Sequence, residues 1–285
     1  MPGALIAYHE VIPADADLDQ FLALVLLPLL IALLLFPIPP PEGDSAGILA
    51  DADLAVARID YRAADELLQL ALVQSPSDPV IHWKLARVHV LSAEVTSGEV
   101  HLLHLRAAEK HSRASIALDA SRAEGYTWLA AALGYRALLC STGEQLELLE
   151  ELLGATEMAI LLDPTDDIAY SIRGSTFRAL GRVGWFQRSV AALLFGGVPD
   201  GGFQEAESAL REAVHLAPEI MRHRYELAVL LLDMGRESEG RRMLTTASSL
   251  PVLIASDVPR LETIRELLAE QHPSSPDLVG EGEEE

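Results

Sequence analysis

The sequence predicts an all-α protein built from repeated helix pairs. Its 285 residues are 50% hydrophobic but only 5% aromatic, a composition that favours helices over sheets and excludes a wholly disordered chain. From about residue 45 almost to the carboxyl end, the apolar residues recur with helical spacing. One short phrase of small and large apolar residues also returns several times along this stretch, which indicates a stack of similar units.

The repeated phrase has the form Ala-x-x-x-Leu-x-x-Ala, and in its clearest copies a Pro follows five residues later. It starts at Ala64 and again at Ala206, with related phrases at 115–120 and 159–164 and a fifth copy from Gly240. These offsets match the tetratricopeptide repeat, in which small residues let paired helices approach and Pro ends the second helix. We therefore expect a solenoid of about five helix pairs, closed by a capping helix near 258–271.

The two ends of the chain differ from this body. Residues 1–20 are acidic, 21–38 are almost wholly apolar, 39–46 form a Pro- and Gly-rich linker, 47–272 hold the repeats, and 273–285 form an acidic tail expected to be disordered. The apolar stretch predicts a hydrophobic helix that anchors the chain in a membrane by a single pass. Without Lys or Arg before it, an uncleaved anchor is favoured over a cleaved signal, and a buried helix is the alternative. The side of the membrane stays open.

Extra residues interrupt the regular spacing of three units. Units two and three carry additional residues around 95–105 and 140–150, and unit four carries a longer insertion between Arg182 and Gly202. Insertions in such repeats lie in the loops or lengthen helices. The longest one is apolar, and we expect an extra packed helix there in preference to a mobile lid.

Charge and cysteine content exclude several classes of function. The 43 acidic residues outnumber the 21 basic ones, for a net charge of −22, and no basic stripe is present to bind nucleic acid phosphates. Cys140 is the single cysteine, so no internal disulfide can form, and a small buried thiol is its ordinary interpretation. Because no catalytic arrangement of residues is recognisable, we expect neither enzyme activity nor a cofactor.

Four histidines crowd one region of the second unit: His89, His101, His104 and His111. Their spacing lacks the i, i+4 pair that helical zinc sites use, so at most two ligands would converge. We interpret them as a polar helix face and predict no metal site.

The candidate ligand site is the concave face, which the first helix of each pair lines in such solenoids. Its arginines could hold the acidic end of a peptide or the phosphate of a lipid headgroup, while its small apolar residues would contact the rest of the ligand. For each arginine, a solvated or ion-paired side chain is the alternative. The predicted ligand-binding residues are Trp83, Arg87, Ser171, Ser175, Arg178, Arg222 and Tyr225.

Four stretches, at 81–90, 123–137, 191–218 and 248–252, resemble the tetratricopeptide-type domain of the regulator of microtubule dynamics family. The resemblance covers about 80–270, and its most specific part is the AALLFG helix joined to the fourth repeat. It implies a non-enzymatic helical-repeat domain that acts in organelle or microtubule association, with membrane-anchored members implicated in lipid binding. The acidic surface of tubulin would repel this acidic chain, so the microtubule role carries over poorly. The Lys-poor composition is compatible with a bacterial relative.

The sequence thus predicts a membrane-anchored scaffold that binds a protein or peptide partner on its concave face. The alternative is a phospholipid-binding or lipid-transfer module whose acyl chain occupies the solenoid interior. A closed apolar cavity with arginines at its mouth would favour lipid, and an open groove with polar positions would favour peptide. The sequence does not decide the oligomeric state.

Overall fold

The computed structural model describes residues 45–195 and 197–269 of the chain. This part contains twelve α-helices and no strand, as the repeat pattern predicts. The helices are α1 Ser45–Ala57, α2 Tyr61–Gln74, α3 Pro79–Ala93, α4 Gly98–Leu118, α5 Ala123–Ala137, α6 Thr142–Leu162, α7 Asp167–Gly181, α8 Trp185–Phe195, α9 Phe203–Leu216, α10 Met221–Asp233, α11 Glu237–Ala247 and α12 Asp257–Ala269.

The helices pack as five antiparallel pairs in chain order. The pairs are α1 with α2, α3 with α4, α5 with α6, α7 with α9 and α10 with α11, and the second helix of each pair also contacts the first helix of the next. The last helix, α12, packs against α10 and α11, where Ile264 is fully buried beside Leu244 and Met221. The predicted solenoid of five pairs with a capping helix is confirmed.

Small residues sit where the repeat phrase places them, at the contacts between helices. Ala64, Ala71, Ala206 and Ala213 are all completely buried. Helices α7 and α9 approach closely, because a Cβ added to Gly174 would lie 2.5 Å from a side-chain carbon of Leu210. The phrase therefore recurs because paired helices at this separation leave no room for a larger side chain.

The extra residues of the second and third units lengthen helices. Both α4 and α6 have 21 residues, against 14 in α2 and α9. The insertion of the fourth unit instead forms a separate short helix, α8, between the two helices of that pair. It is an added helix, as expected, and its own residue Ala191 is buried.

The predicted membrane location requires correction. Within residues 45–195 and 197–269, no helix is long and apolar enough to cross a bilayer. The longest helices show the physical reason, because α6 carries Glu144, Glu147, Glu150 and Glu151 within three turns. This result overturns the predicted single-pass location. The apolar stretch 21–38 and the acidic segments at both ends lie outside the described residues.

Candidate functional site

Three of the predicted site residues meet at one cavity on the inner face of the solenoid. Ser171 and Ser175 of α7 and Arg222 of α10 line a cavity of about 160 Å³. Ser175 donates a hydrogen bond of 3.1 Å to Glu226, which lines the same cavity. The remaining wall is mostly aromatic and small apolar, and includes Trp128, Ala131, Tyr135, Ile168 and Ile172.

Two other predicted residues lie outside the lining of this cavity and have partners of their own. The Nε atom of Arg178 lies 2.6 Å from the carboxylate of Asp233 at the end of α10. The ring of Tyr225 lies under the guanidinium of Arg260, 5.9 Å from its centroid. Burial raises the pKa of the Tyr225 hydroxyl, and the nearby charge of Glu226 adds to the effect. Both residues thus join helices of the last units to their neighbours.

A buried carboxylate, Glu94, connects distant parts of the chain across the inner face. It accepts hydrogen bonds from the Tyr135 hydroxyl at 2.8 Å, the Ser256 hydroxyl at 2.5 Å and Nη2 of Arg222 at 2.5 Å. Its side chain is only 3% exposed. Burial alone would raise the pKa of Glu94, but the charge of Arg222 and the three hydrogen bonds outweigh it and lower the pKa. Glu94 is therefore charged at neutral pH and fixes Arg222 in place.

The chain between α11 and α12 closes the inner face against the first unit. The backbone amide of Ala255 donates a 2.9 Å hydrogen bond to the Tyr61 hydroxyl at the start of α2. Ile254 and Ala255 also pack on the apolar core formed by α1 and α2. The carboxylate of Asp257 holds this segment by accepting the amides of Leu253 and Ile254. We call residues 248–256 the closing segment.

Two buried hydrogen-bond donors on the inner face lack an acceptor. The indole Nε1 of Trp83 and Nε of Arg222 are buried without any partner in the described part of the chain. Arg87 lies one turn after Trp83 on α3, and none of the described residues forms a hydrogen bond or an ion pair with it. Burial lowers the pKa of the Arg87 guanidinium, while the nearby Asp53 and Tyr61 raise it. Such unsatisfied donors are rare in native proteins and call for a specific explanation.

A second, larger cavity lies beside the insertion. It measures about 360 Å³ and is walled by the ends of α5 and α7, the start of α6 and the helix α8. It shares Ser175 and Leu152 with the inner-face cavity, so the two are neighbours. No charged residue of the described chain lines it; the apolar part of its lining comprises Leu138, Leu146, Leu149, Leu180, Val183, Ala191 and Val198.

Sequence reasoning missed the residues that organise this face: Glu94, Tyr135, Ser256, Tyr61 and Arg260. A signal existed only for Glu94, because it lies directly after α3 and seven residues after Arg87, in line with the stripe that begins with the predicted Trp83 and Arg87. The closing segment has no helical period, and its partners lie far away along the chain. No local sequence pattern predicts the contact between the closing segment and the first unit.

The crowded histidines form a row of neighbouring rings between α3 and α4 that also includes His82. The Nδ1 atoms of His82 and His111 are 3.0 Å apart, and those of His89 and His104 are 3.2 Å apart. His101 instead bonds to the carbonyl of Ala93. Among residues 45–195 and 197–269, no group of three or more His, Cys, Asp or Glu side chains is arranged to hold a metal ion.

Solved structures that are similar to the chain are helical-repeat proteins. A thermophilic tetratricopeptide repeat protein of Thermus thermophilus superposes with a TM-score of 0.58 and 22% identity, over 79% of this chain and 98% of that one. MamA of Desulfovibrio magneticus gives a TM-score of 0.45 and 14% identity, over 73% of this chain and 96% of the other. The first of these likenesses supports the tetratricopeptide-type fold.

The comparison of sequences gives the family. No curated protein matches the chain. The family described as regulator of microtubule dynamics protein 1-3 matches it over residues 48–272, which span all five helix pairs and the capping helix. The chain therefore belongs to the regulator of microtubule dynamics protein 1-3 family.

Proposed function

We propose that the chain is a non-enzymatic scaffold that binds a segment of a partner protein on the inner face beside α3. The observation that carries this proposal is a pair of buried donors without acceptors, Trp83 Nε1 and Arg222 Nε, with the Arg87 guanidinium one turn along α3 from Trp83. An extended peptide offers a carbonyl acceptor at every residue, and a carboxylate adds a charge-assisted bond to an arginine. The ligand that fits these donors is therefore a peptide segment with an acidic side chain or a free carboxyl end.

Two potentially reactive side chains are in environments that disfavour catalysis, which supports a binding role. Partial burial and the nearby Glu144 raise the pKa of the Cys140 thiol, which disfavours the nucleophilic thiolate. The buried Glu94 is held as a charged acceptor by Arg222, so it is a poor general acid. Binding therefore accounts for the inner face better than catalysis does.

A direct test uses peptides selected from a random library by the full chain. Peptides that bind the wild-type chain should bind Arg87→Gln at least about tenfold more weakly, because a charge-assisted bond is lost. The matched control is Arg106→Gln, since Arg106 is exposed on α4, away from the inner face. Equal binding by the wild-type chain and Arg87→Gln would refute the inner-face site.

The alternative function, phospholipid binding, finds less support in the geometry. The 360 Å³ cavity is apolar enough for part of an acyl chain, but its described lining contains no cation for a headgroup. Arg178, which was predicted to hold that headgroup, is paired with Asp233, and Arg222 lines the inner-face cavity and not this one. Native mass spectrometry of the full chain tests this alternative: a phospholipid that co-purifies and is lost in Ala179→Trp, but retained in Ala192→Trp, would favour it.

A further inference from the structure

The inserted helix α8 presents an apolar stripe to solvent. Val190, Leu193 and Leu194, spaced three and four residues apart, lie on one side of it and are 38%, 84% and 63% exposed. At the end of α5, the neighbouring wall of the cavity, Leu138 is 74% exposed. Isolated exposed leucines are ordinary, but a contiguous apolar stripe on an added helix marks an interaction site.

The stripe is held in this position by polar bonds at the start of α8 and by Arg188 on its other side. Arg188 donates to the backbone carbonyls of Leu180 at 2.7 Å and Gly201 at 3.2 Å. The side chain of Gln187 accepts the amide of Gly184 at 2.6 Å at the start of the helix. The helix thus turns its cation inward to the backbone and leaves its leucines outward.

The 360 Å³ cavity that such leucines would fill is lined in part by the same helix. Gln187 and Ala191 line the 360 Å³ cavity, and Leu194 is seven and three residues from them, so the stripe borders the cavity. Exposed Leu138 and Ala179 also belong to its lining, which places part of the cavity at the surface. One small surface therefore carries both a projecting apolar group and an apolar recess.

We propose that this surface binds a second copy of the chain, with Leu193 and Leu194 of each copy packed against the cavity mouth of the other. We call the projecting leucines the knob and the cavity mouth the hole. Because the two lie side by side on one surface, a two-fold axis between two copies would place the knob of each copy in the hole of the other. The stripe and the described cavity lining carry no charge, so two copies can meet here without burying one. A charged partner would find no counter-charge on this patch, which argues against a cationic helix as the occupant.

The net charge of −22 on each copy opposes this association through long-range repulsion. Salt screens that repulsion and leaves the apolar contact intact. The dimer should therefore become tighter as ionic strength rises, whereas a contact made by ion pairs would become weaker.

Analytical ultracentrifugation of the full chain across concentration and salt tests the proposal. The wild-type chain should show a monomer–dimer equilibrium that tightens with salt, and the double variant Leu193→Asp, Leu194→Asp should weaken it at least about tenfold. The control is Leu161→Asp on α6, because Leu161 is 70% exposed but lies outside the cavity lining. A wild-type chain that stays monomeric at every concentration, or a control that weakens the dimer equally, would overturn the proposal.

A complementation experiment separates the knob from the hole. Ala179→Trp should fill the cavity mouth and also weaken self-association, although its leucine stripe is intact. A mixture of Ala179→Trp with the double Asp variant can form one of the two knob-and-hole contacts, so it should associate more tightly than the double Asp variant does alone. A mixture that associates no better would overturn the knob-and-hole geometry.

Discussion

The inner face beside α3 and the edge formed by α8 place their side chains in opposite ways. On the inner face, polar and charged groups are buried and bonded across the chain, with Glu94 joined to Tyr135, Arg222 and Ser256. At the edge, apolar side chains such as Leu193 project into solvent. The inner face therefore holds the solenoid closed, whereas the edge contributes little to folding and is left available for association.

The largest expected effect comes from breaking the inner face at its buried carboxylate. Glu94→Ala leaves Arg222 buried without a counter-charge, and removal of one partner of such a pair typically costs about 3–5 kcal/mol. Unfolding in urea, followed by circular dichroism, measures the loss. The control is Glu66→Ala, since Glu66 pairs with Arg62 on the exposed face of α2 and should change nothing measurable. Equal stability of the two variants would mean that the Glu94 network does not hold the solenoid closed.

The histidine row between α3 and α4 should make the free energy of unfolding depend on pH. Burial, with a smaller contribution from neighbouring histidines, lowers the pKa of His89, His104 and His111, that of His111 to about 4. Asp65 opposes the effect at His89 and His104, whereas Lys110 reinforces it at His111.

Because the folded pKa values lie below the unfolded value of about 6.5, the unfolded chain binds more protons between them. The free energy of unfolding should therefore be at its full value above about pH 6.5 and fall as the pH decreases towards about 4, with a slope of at most about 1.4 kcal/mol per pH unit for each histidine.

Urea unfolding measured from pH 7.5 to pH 4.5 checks this expectation. His111→Asn removes one titrating group from the row and should flatten the curve. Glu94 is distinguishable in the same experiment, because its lowered pKa places its loss of stabilisation below about pH 4.5. A wild-type curve that is flat down to pH 4.5 would show that the histidine row is not a source of pH dependence.

The sequence predicted the features that depend on local spacing. It did not predict contacts between residues that lie far apart along the chain. The small residues at Ala64 and Ala206 located the helix pairs, because close packing imposes a period that one helix can display. Helical spacing placed Trp83 and Arg87 one turn apart on α3, and their role in ligand binding stays a prediction. The bond from Ala255 to Tyr61 joins residues 194 positions apart, and no period links them. The ion pairs of Arg178 with Asp233 and of Arg222 with Glu94 were not predictable either, because the partners lie 55 and 128 residues away along the chain.

Substitutions at the α8 edge should change the free energy of unfolding least. Leu193→Ser should change the free energy of unfolding by no more than about 0.5 kcal/mol at a protein concentration below that of self-association, because an 84% exposed side chain loses little by truncation. Leu152 provides the contrast: it lines the neighbouring cavity but is only 2% exposed, so Leu152→Ala should cost about 2–5 kcal/mol. Two leucines beside the same cavity would then differ by nearly the whole cost of burial. If Leu193→Ser instead destabilised the monomer as Leu152→Ala does, the stripe would belong to the folded core, and the apolar edge would need no second copy to explain it.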